Sequence, residues 1–257
     1  MIVVLMRAAL FAIALAGCSK ILGIDDLHGP GGNGTVDAQP DGASIDAAPN
    51  VEVSGQITEI NPLNFESDPV PNLPVELRGT PGDVLLASGT TDANGRFGLN
   101  VQTHGAPVVG YVHAMGKVVN AEDAYYFVRP LTRDTALTDF VLFTQQAIAV
   151  LAQFYGVAAP SPQSALVFAF VTGPEGTGKA GIAVQAGPNT GAVRYFDAQG
   201  NIPDPSLTTT SASGIAVVFG VPPVSVQFSA NQSGQQLATY DLAAQAMTTE
   251  YIPLVVP

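Results

Sequence analysis

Thr90-Thr91-Asp92-Ala93-Asn94-Gly95-Arg96-Phe97 is the stretch on which the fold turns. Asn-Gly supplies the positive φ of a tight hairpin, and it stands just before Phe97, Leu99 and Val101, which alternate with polar residues as in a strand with one buried face. Upstream, Val51/Val53, Val75/Leu77 and Val84/Leu86 show the same period of two, and downstream Val108/Gly110/Val112/Ala114 repeats it. Pro, Gly, Asn or Asp clusters separate the runs. The stretch is echoed at Thr209-Thr210-Ser211-Ala212-Ser213-Gly214, again ahead of an apolar strand, a proline and a strand ending in alanine, Ala114 in one copy and Ala230 in the other. The pattern predicts a mainly β chain of two antiparallel, Ig-like β-sandwiches, the first over 51–133 and the second over 163–257. In the second, strands are expected at Ala165 to Val171, Gly181 to Ala186, Ala192 to Phe196, Ile215 to Phe219, Val224 to Ala230 and Thr249 to Val255. Each unit is long enough to bury a core of its own, so each is expected to fold alone.

With Val53-Ser54-Gly55-Gln56-Ile57, Pro74-Val75-Glu76-Leu77, Ala87 to Phe97 and Tyr111-Val112-His113-Ala114 in view, residues 51 to about 115 resemble the carboxypeptidase regulatory-like, transthyretin-like β-sandwich. The resemblance implies a non-catalytic accessory module. The chain departs from it at Asn72-Leu73-Pro74, where a Gly-Ala pair is common. Related collagen-adhesin modules carry a Lys-Asn crosslink, which is not implied here because neither Val51 to Ile57 nor Ala165 to Val171 contains a lysine.

Between the copies, in a connector over 134–162, lies one helical pattern. Ile148, Leu151, Ala152 and Tyr155 share a helix face, Thr144 can cap the start, Gly156 can close the end, and Pro160 and Pro162 forbid continuation. A helix is expected over 144–155, docked by its apolar face on a sandwich. The uncharged run from Phe140 to Ala159 is broken by Gln145, Gln146 and Gln153, which argues against a membrane span.

The chain begins with an apolar segment, Ala8 to Ala16, behind Arg7, which has the parts of a secretory signal and is too short to span a bilayer. Leu15-Ala16-Gly17-Cys18 resembles a bacterial lipobox. That resemblance implies removal of 1–17 by cleavage between Gly17 and Cys18, with acylation of Cys18, and Ser19 after the cysteine implies export to the outer membrane. Met6-Arg7 offers a better-placed start than Met1, since Ile2 to Met6 are all apolar. Residues 18–50 read as the acylated cysteine and a disordered tether, with Asp25, Asp26, Asp37, Asp41 and Asp46 scattered among Gly, Ala, Pro and Asn. Its root-mean-square span would be about 30 Å.

Nine Lys and Arg stand against 21 Asp and Glu, and a net charge of −12 argues against nucleic acid or anionic headgroups as partners. The membrane contact must then come from acyl chains on Cys18. The remaining partner is expected to be an envelope protein or polysaccharide.

The motifs that carry chemistry fail one by one. Gly173 to Ala180 matches a P-loop except at Ala180, which cannot coordinate Mg²⁺, and a strand-like run follows Lys179 where a helix should hold the phosphate. A hairpin loop is the better reading, and no nucleotide is expected. Gly29 to Gly34 matches G-x-G-x-x-G with no strand before it and no helix after it. His104 and His113 are too far apart along the chain to share a metal, and His28 lies in the tether. Asp92 and Asn94 look like calcium ligands, yet the loop has no closing glutamate. No catalytic triad, metal or cofactor is expected. Two alternatives stay open: a calcium- or carbohydrate-binding module, the latter through an exposed row of Tyr125, Tyr126 and Tyr195, and an envelope hydrolase with a site formed only in space.

Overall fold

The computed structural model describes residues 47–61, 66–137, 140–158, 160–187, 191–200 and 203–257. The expected signal, the Gly17/Cys18 cleavage and acylation site, His28 and most of the tether lie outside them.

The first half contributes β1 (Asn50–Ile60), β2 (Ser67–Pro69), β3 (Pro74–Gly79), β4 (Val84–Thr90), β5 (Arg96–Gln102), β6 (Gly110–Ala114) and β7 (Asp123–Phe127). The connector holds β8 (Thr135–Ala136), β9 (Phe140–Leu142) and helix α1 (Gln145–Phe154). The second half adds β10 (Ala165–Thr172), β11 (Ala183–Ala186), β12 (Ala192–Phe196), β13 (Pro203–Asp204), β14 (Ile215–Val221), β15 (Ser225–Gln232), β16 (Gln235–Ala243) and β17 (Thr248–Val255).

In the first sandwich β2, β1 and β5 form one layer, with β8 and β9 running parallel to β1, and β4, β3, β6 and β7 form the other. In the second, β13-β12-β14-β10-β17 faces β11-β15-β16. Strands β17 and β7 pair in parallel, Thr248 on Asp123 through Tyr251 on Tyr126, so one layer of each sandwich joins the other into a single nine-stranded sheet. That sheet carries a core on each face. Val75, Leu77, Val112, Ala124, Leu166, Phe168 and Tyr251 belong to one, and Val167, Ala169, Val171 and Ile252 to the other. Strand β10 reads Ala-Leu-Val-Phe-Ala-Phe-Val-Thr, with no polar alternation, because both its faces are covered.

Helix α1 forms as expected. The Thr144 hydroxyl accepts from the Ala147 N–H at 3.1 Å, and Gly156 sits at φ +64° just past the end. Ala147, Ile148 and Ala152 are buried in the first core, and Tyr155 reaches Phe219 of β14 with ring centroids 6.4 Å apart. The helix therefore lies over strands of the second half as well as the first.

Two local expectations are corrected. Asn94-Gly95 does not close a hairpin of paired strands, because β4 pairs with β3 and β5 with β1, in different layers. The turn crosses between layers, with Gly95 N–H bonded to Asp92 O at 3.0 Å and the Asp92 carboxylate accepting from the N–H groups of Asn94 and Arg96. Glycine is required there by its φ of +74° and by the Ile57 carbonyl, into which a Cβ would press. The second correction is β4, whose Val84/Leu86 alternation implies a buried face. Val84, Leu85 and Leu86 are exposed, since β4 is the last strand of the sheet.

The internal repeat extends to individual hydrogen bonds. Gly214 N–H reaches Ser211 O at 3.0 Å as Gly95 reaches Asp92, and Val171 N–H reaches Gly214 O at 2.7 Å as Ile57 reaches Gly95 at 2.8 Å. The buried hydroxyls of Thr91 and Thr210 each donate to a backbone carbonyl, Val70 O at 2.5 Å and Lys179 O at 2.6 Å. Each accepts an amide, from Leu73 at 2.9 Å and Ile182 at 3.1 Å. Each threonine thus ties the crossover turn to the segment that runs beside it.

Candidate functional site

The P-loop-like segment is a hairpin, in line with its sequence reading. Gly173 N–H bonds to Thr177 O at 2.9 Å, Thr172 and Gly178 bridge antiparallel, and the Lys179 ammonium lies 3.4 Å from Glu175. Lys179 also gives its backbone N–H to Val171 O, the counterpart of Val70 on Ile57. Its amide therefore belongs to the repeated turn and not to a phosphate cradle.

Asp92 spends its carboxylate on backbone amides, and among the described residues no group of three or more His, Cys, Asp or Glu is gathered as a metal would need. His104 occupies an exposed turn at φ +53°. Tyr125, Tyr126 and Tyr195 do not form an exposed row. Tyr125 is 7% and Tyr195 6% exposed, and Tyr126 turns to the opposite face from Tyr125 and stacks on Tyr251 at 5.6 Å. The Tyr195 hydroxyl takes the Val184 N–H at 3.0 Å.

What the fold does assemble is a row across the face of the nine-stranded sheet opposite the first core. Register places Glu76 of β3 beside His113 of β6, His113 beside Tyr125 of β7, and Tyr125 beside Glu250 of β17. The His113 and Tyr125 rings stack 4.5 Å apart at 7°, and Tyr111 packs on Tyr125 and Phe127 at 5.6 and 5.4 Å. Asp123 anchors the row. Its carboxylate lies 2.8 Å from the Lys117 ammonium and 3.7 Å from His113 Nε2. Burial raises its pKa, but the His113 and Lys117 groups beside it more than offset this and bring it down to about 2. At the far side the Tyr111 hydroxyl donates to Asp83, which also pairs with Arg78 at 3.1 Å.

Glu250 is the row's buried end. It is 1% exposed; one oxygen accepts from Gln245 N–H at 2.8 Å and Thr248 Oγ1 at 3.0 Å, while the other has no hydrogen-bond partner. Burial pushes its pKa to about 7. Burial, with the Asp123 and Glu250 charges adding to it, pushes the Tyr125 phenol to about 12.

A second buried carboxyl precedes the same β7. Glu122 is 3% exposed, accepts from the Gln145 amide with one oxygen and leaves the other without a partner. Burial again raises it to about 7. It lines a small cleft with Gln145, Ser161 and Ser164 that has room for about one water molecule, far less than a small-molecule site needs.

Neither carboxyl is singled out by sequence reasoning. Glu250 sits in Thr248–Val255, which is buried on both faces and shows no alternation that would mark one residue out, and β7 carries no signal strong enough to be placed. Only the register of four strands brings these groups together.

No described protein family matches the chain, and no curated protein matches it. Among solved structures it is similar to the Bacillus anthracis TIE protein, at 12% identity and a TM-score of 0.25, covering 80% of this chain and 34% of that one. The minor pilin GBS52 of Streptococcus agalactiae gives 12% and 0.24, covering 80% and 96%. A 9R-lipoxygenase from Cyanothece gives 15% and 0.25 over 40% of this chain, which spans only 18% of that enzyme. TM-scores of this size do not establish a common chain path, so the fold stands on this chain's own strands and cores.

Proposed function

We propose that this chain is a lipid-anchored protein of the bacterial outer membrane whose paired sandwiches work by binding or by holding other envelope components in place, without catalysis. The anchor reading is carried by Leu15-Ala16-Gly17-Cys18 behind the apolar run Ala8 to Ala16. Acyl chains on Cys18 would hold the protein at the membrane, and the segment of about 30 residues before β1 would set the sandwiches off from the headgroups. The rigid part supports a structural role, because the side chains that look chemical in sequence serve as ties. Asp92 holds a turn, Lys179 pairs across a hairpin, and the hydroxyl of Tyr195 bonds to backbone.

The test is Cys18→Ser in the native host with radiolabelled palmitate. The substitution should abolish labelling and leave an uncleaved precursor in the inner membrane. Normal cleavage and unchanged membrane partition of that variant would overturn the anchor.

A further inference from the structure

Among the described residues, β7 on β17 is the one strand pair that links the two halves, and it is short: Thr248 on Asp123, Thr249 on Ala124, Glu250 on Tyr125 and Tyr251 on Tyr126. Its composition is unlike that of the rest of the interior. Of the nine buried polar or charged residues among those described, five stand in this seam or next to it, namely Glu122, Asp123, Thr248, Thr249 and Glu250. On its other side β17 meets only apolar partners at the matching positions, with Val167, Ala169 and Val171 of β10 beside Glu250, Ile252 and Leu254. The seam is also poorly satisfied. Asp123 has the Lys117 N–H at 3.1 Å and the Lys117 ammonium at 2.8 Å, but Glu122 Oε2, Thr249 Oγ1 and Glu250 Oε2 have no hydrogen-bond partner. A buried polar atom left in this way is costly, and far more so once it carries a charge.

The groups around the two unsatisfied carboxyls do not offset their burial. Glu250 faces Val167 of β10, Tyr125 of β7 with Asp123 beyond it, Tyr240 of β16, and the Gln245 N–H and Thr248 hydroxyl of its own segment; none of these is a cation. Glu122 faces the Gln145 amide of α1, the Asp123 carboxylate, and the Lys117 ammonium, which Asp123 already holds. Arg129, just past β7, spends its guanidinium across the joint on the Thr172 hydroxyl, Gly173 O at 3.0 Å and Pro174 O at 3.2 Å. We propose that the seam is a proton-controlled joint: with Glu122 and Glu250 protonated β7 and β17 stay paired, and with both ionised the pair parts locally while the connector and Arg129 keep the sandwiches tied. Either carboxyl gives up its proton more readily where water reaches it, so rising pH favours the parted seam and falling pH the closed one. Burial sets the change close to neutral pH, near 7 for both groups. Asp123 is ionised on both sides of that change and Arg129 is charged throughout, so neither drives it. Opening starts at the Thr248 end, because at the other end Tyr251 donates to Val141 O at 2.7 Å and stacks on Phe168 at 5.1 Å.

The proposal rests on the fold and does not require the anchor. Its test uses the chain from Ser19 onward, which keeps every described residue and has no cysteine. Hydrogen–deuterium exchange is followed at pH 5 and pH 8 and corrected for the intrinsic pH dependence of exchange. Amides of residues 123–126 and 248–251 should lose protection by about tenfold or more at pH 8, and their exchange there should be insensitive to ~1 M urea, the mark of a local opening. Amides of Phe228 and Ala230, in the second core, should exchange only by global unfolding and so respond to the same urea. Glu250→Gln should remove most of the acceleration at pH 8, and Glu122→Gln part of it. Independently, a disulfide between Ala124→Cys and Thr249→Cys, which face each other across the seam, should bring its exchange at pH 8 down to that of the core. Seam amides that respond to urea as the core does, protection that does not fall between pH 5 and pH 8, an acceleration unchanged in both glutamine variants, or one unchanged by the disulfide would each overturn the proposal.

Discussion

Glu250 is a carboxyl whose proton is worth stability. Its ordinary value of 4.5 is raised to about 7 by burial, so the unfolded chain releases the proton first as pH rises. The stabilisation is fully present below pH 4.5 and is lost as pH climbs through 7, with a total of about 3 kcal/mol. Glu122, raised likewise to about 7, works in the same direction. Asp123 works the other way: at about 2 it contributes stability above its ordinary value of 3.8, lost only as pH falls toward 2. The chain should therefore unfold at a higher urea concentration at pH 5 than at pH 8, and Glu250→Gln should gain most of its stability at pH 8 and flatten the profile. Urea melts at both pH values decide it: an equal loss in the variant at pH 5 and pH 8 would mean that the carboxylate is held by partners and not strained by burial.

The two crossover glycines provide a second residue-scale test. Gly95→Ala and Gly214→Ala each combine a positive φ with a Cβ driven into a carbonyl oxygen, of Ile57 and of Val171 respectively. Each should cost ~2 kcal/mol or more, whereas Gly105→Ala, with φ +80° but nothing within 4 Å, should cost only the ~1 kcal/mol of the backbone conformation. Thermal unfolding of the three variants separates the two contributions. The repeat was legible here because a turn that crosses between layers beside another backbone demands glycine and a short hydroxyl in fixed order. What the turn joins was not legible, since Asn-Gly looks the same before a paired strand and before one that changes layer.

At the scale of elements, α1 is held by its cap and by the core beneath it. Thr144→Ala removes the acceptor for Ala147 N–H and should lower stability by ~1 kcal/mol, read as a shift in urea midpoint at constant slope. A change in slope instead would mean that the segment unfolds separately. The helix and most strands show in the sequence because periodicity records burial. Strand β4 carries the alternation of a half-buried strand, yet alternation cannot report which strand comes last, so the exposure of its side chains does not show in the sequence. Strand β16 escaped for the opposite reason, since Gln-Gln-Leu-Ala-Thr-Tyr-Asp-Leu-Ala keeps only Leu242 fully buried and has no apolar period to detect. The candidate site was the least legible part. Glu76, His113, Tyr125 and Glu250 stand far apart in the chain and become neighbours only through three successive strand registers.

For the whole molecule the question is how far each sandwich stands by itself. The second half has a complete core on one face, yet Leu166, Phe168, Phe196, Ile215, Val217, Phe219 and Tyr251 look the other way, into the core of the first. Part of their cover comes from the connector: Phe143 stacks on Phe168 at 5.8 Å, Tyr251 donates to Val141 O at 2.7 Å, and Tyr155 lies against Phe219. A fragment of residues 163–257 would leave this face wet, and burying one large apolar side chain is worth ~2 kcal/mol. A fragment of residues 135–257 keeps β9, α1 and their contacts, and loses mainly the β7 edge and the rest of the first core. We expect 135–257 to unfold cooperatively, and 163–257 to unfold at a distinctly lower urea concentration or to self-associate through the bared face. Equal midpoints for the two fragments, both monomeric by ultracentrifugation, would show that the connector only lies on the second sandwich. Its apolar outer face would then have to be explained by the β7–β17 edge alone.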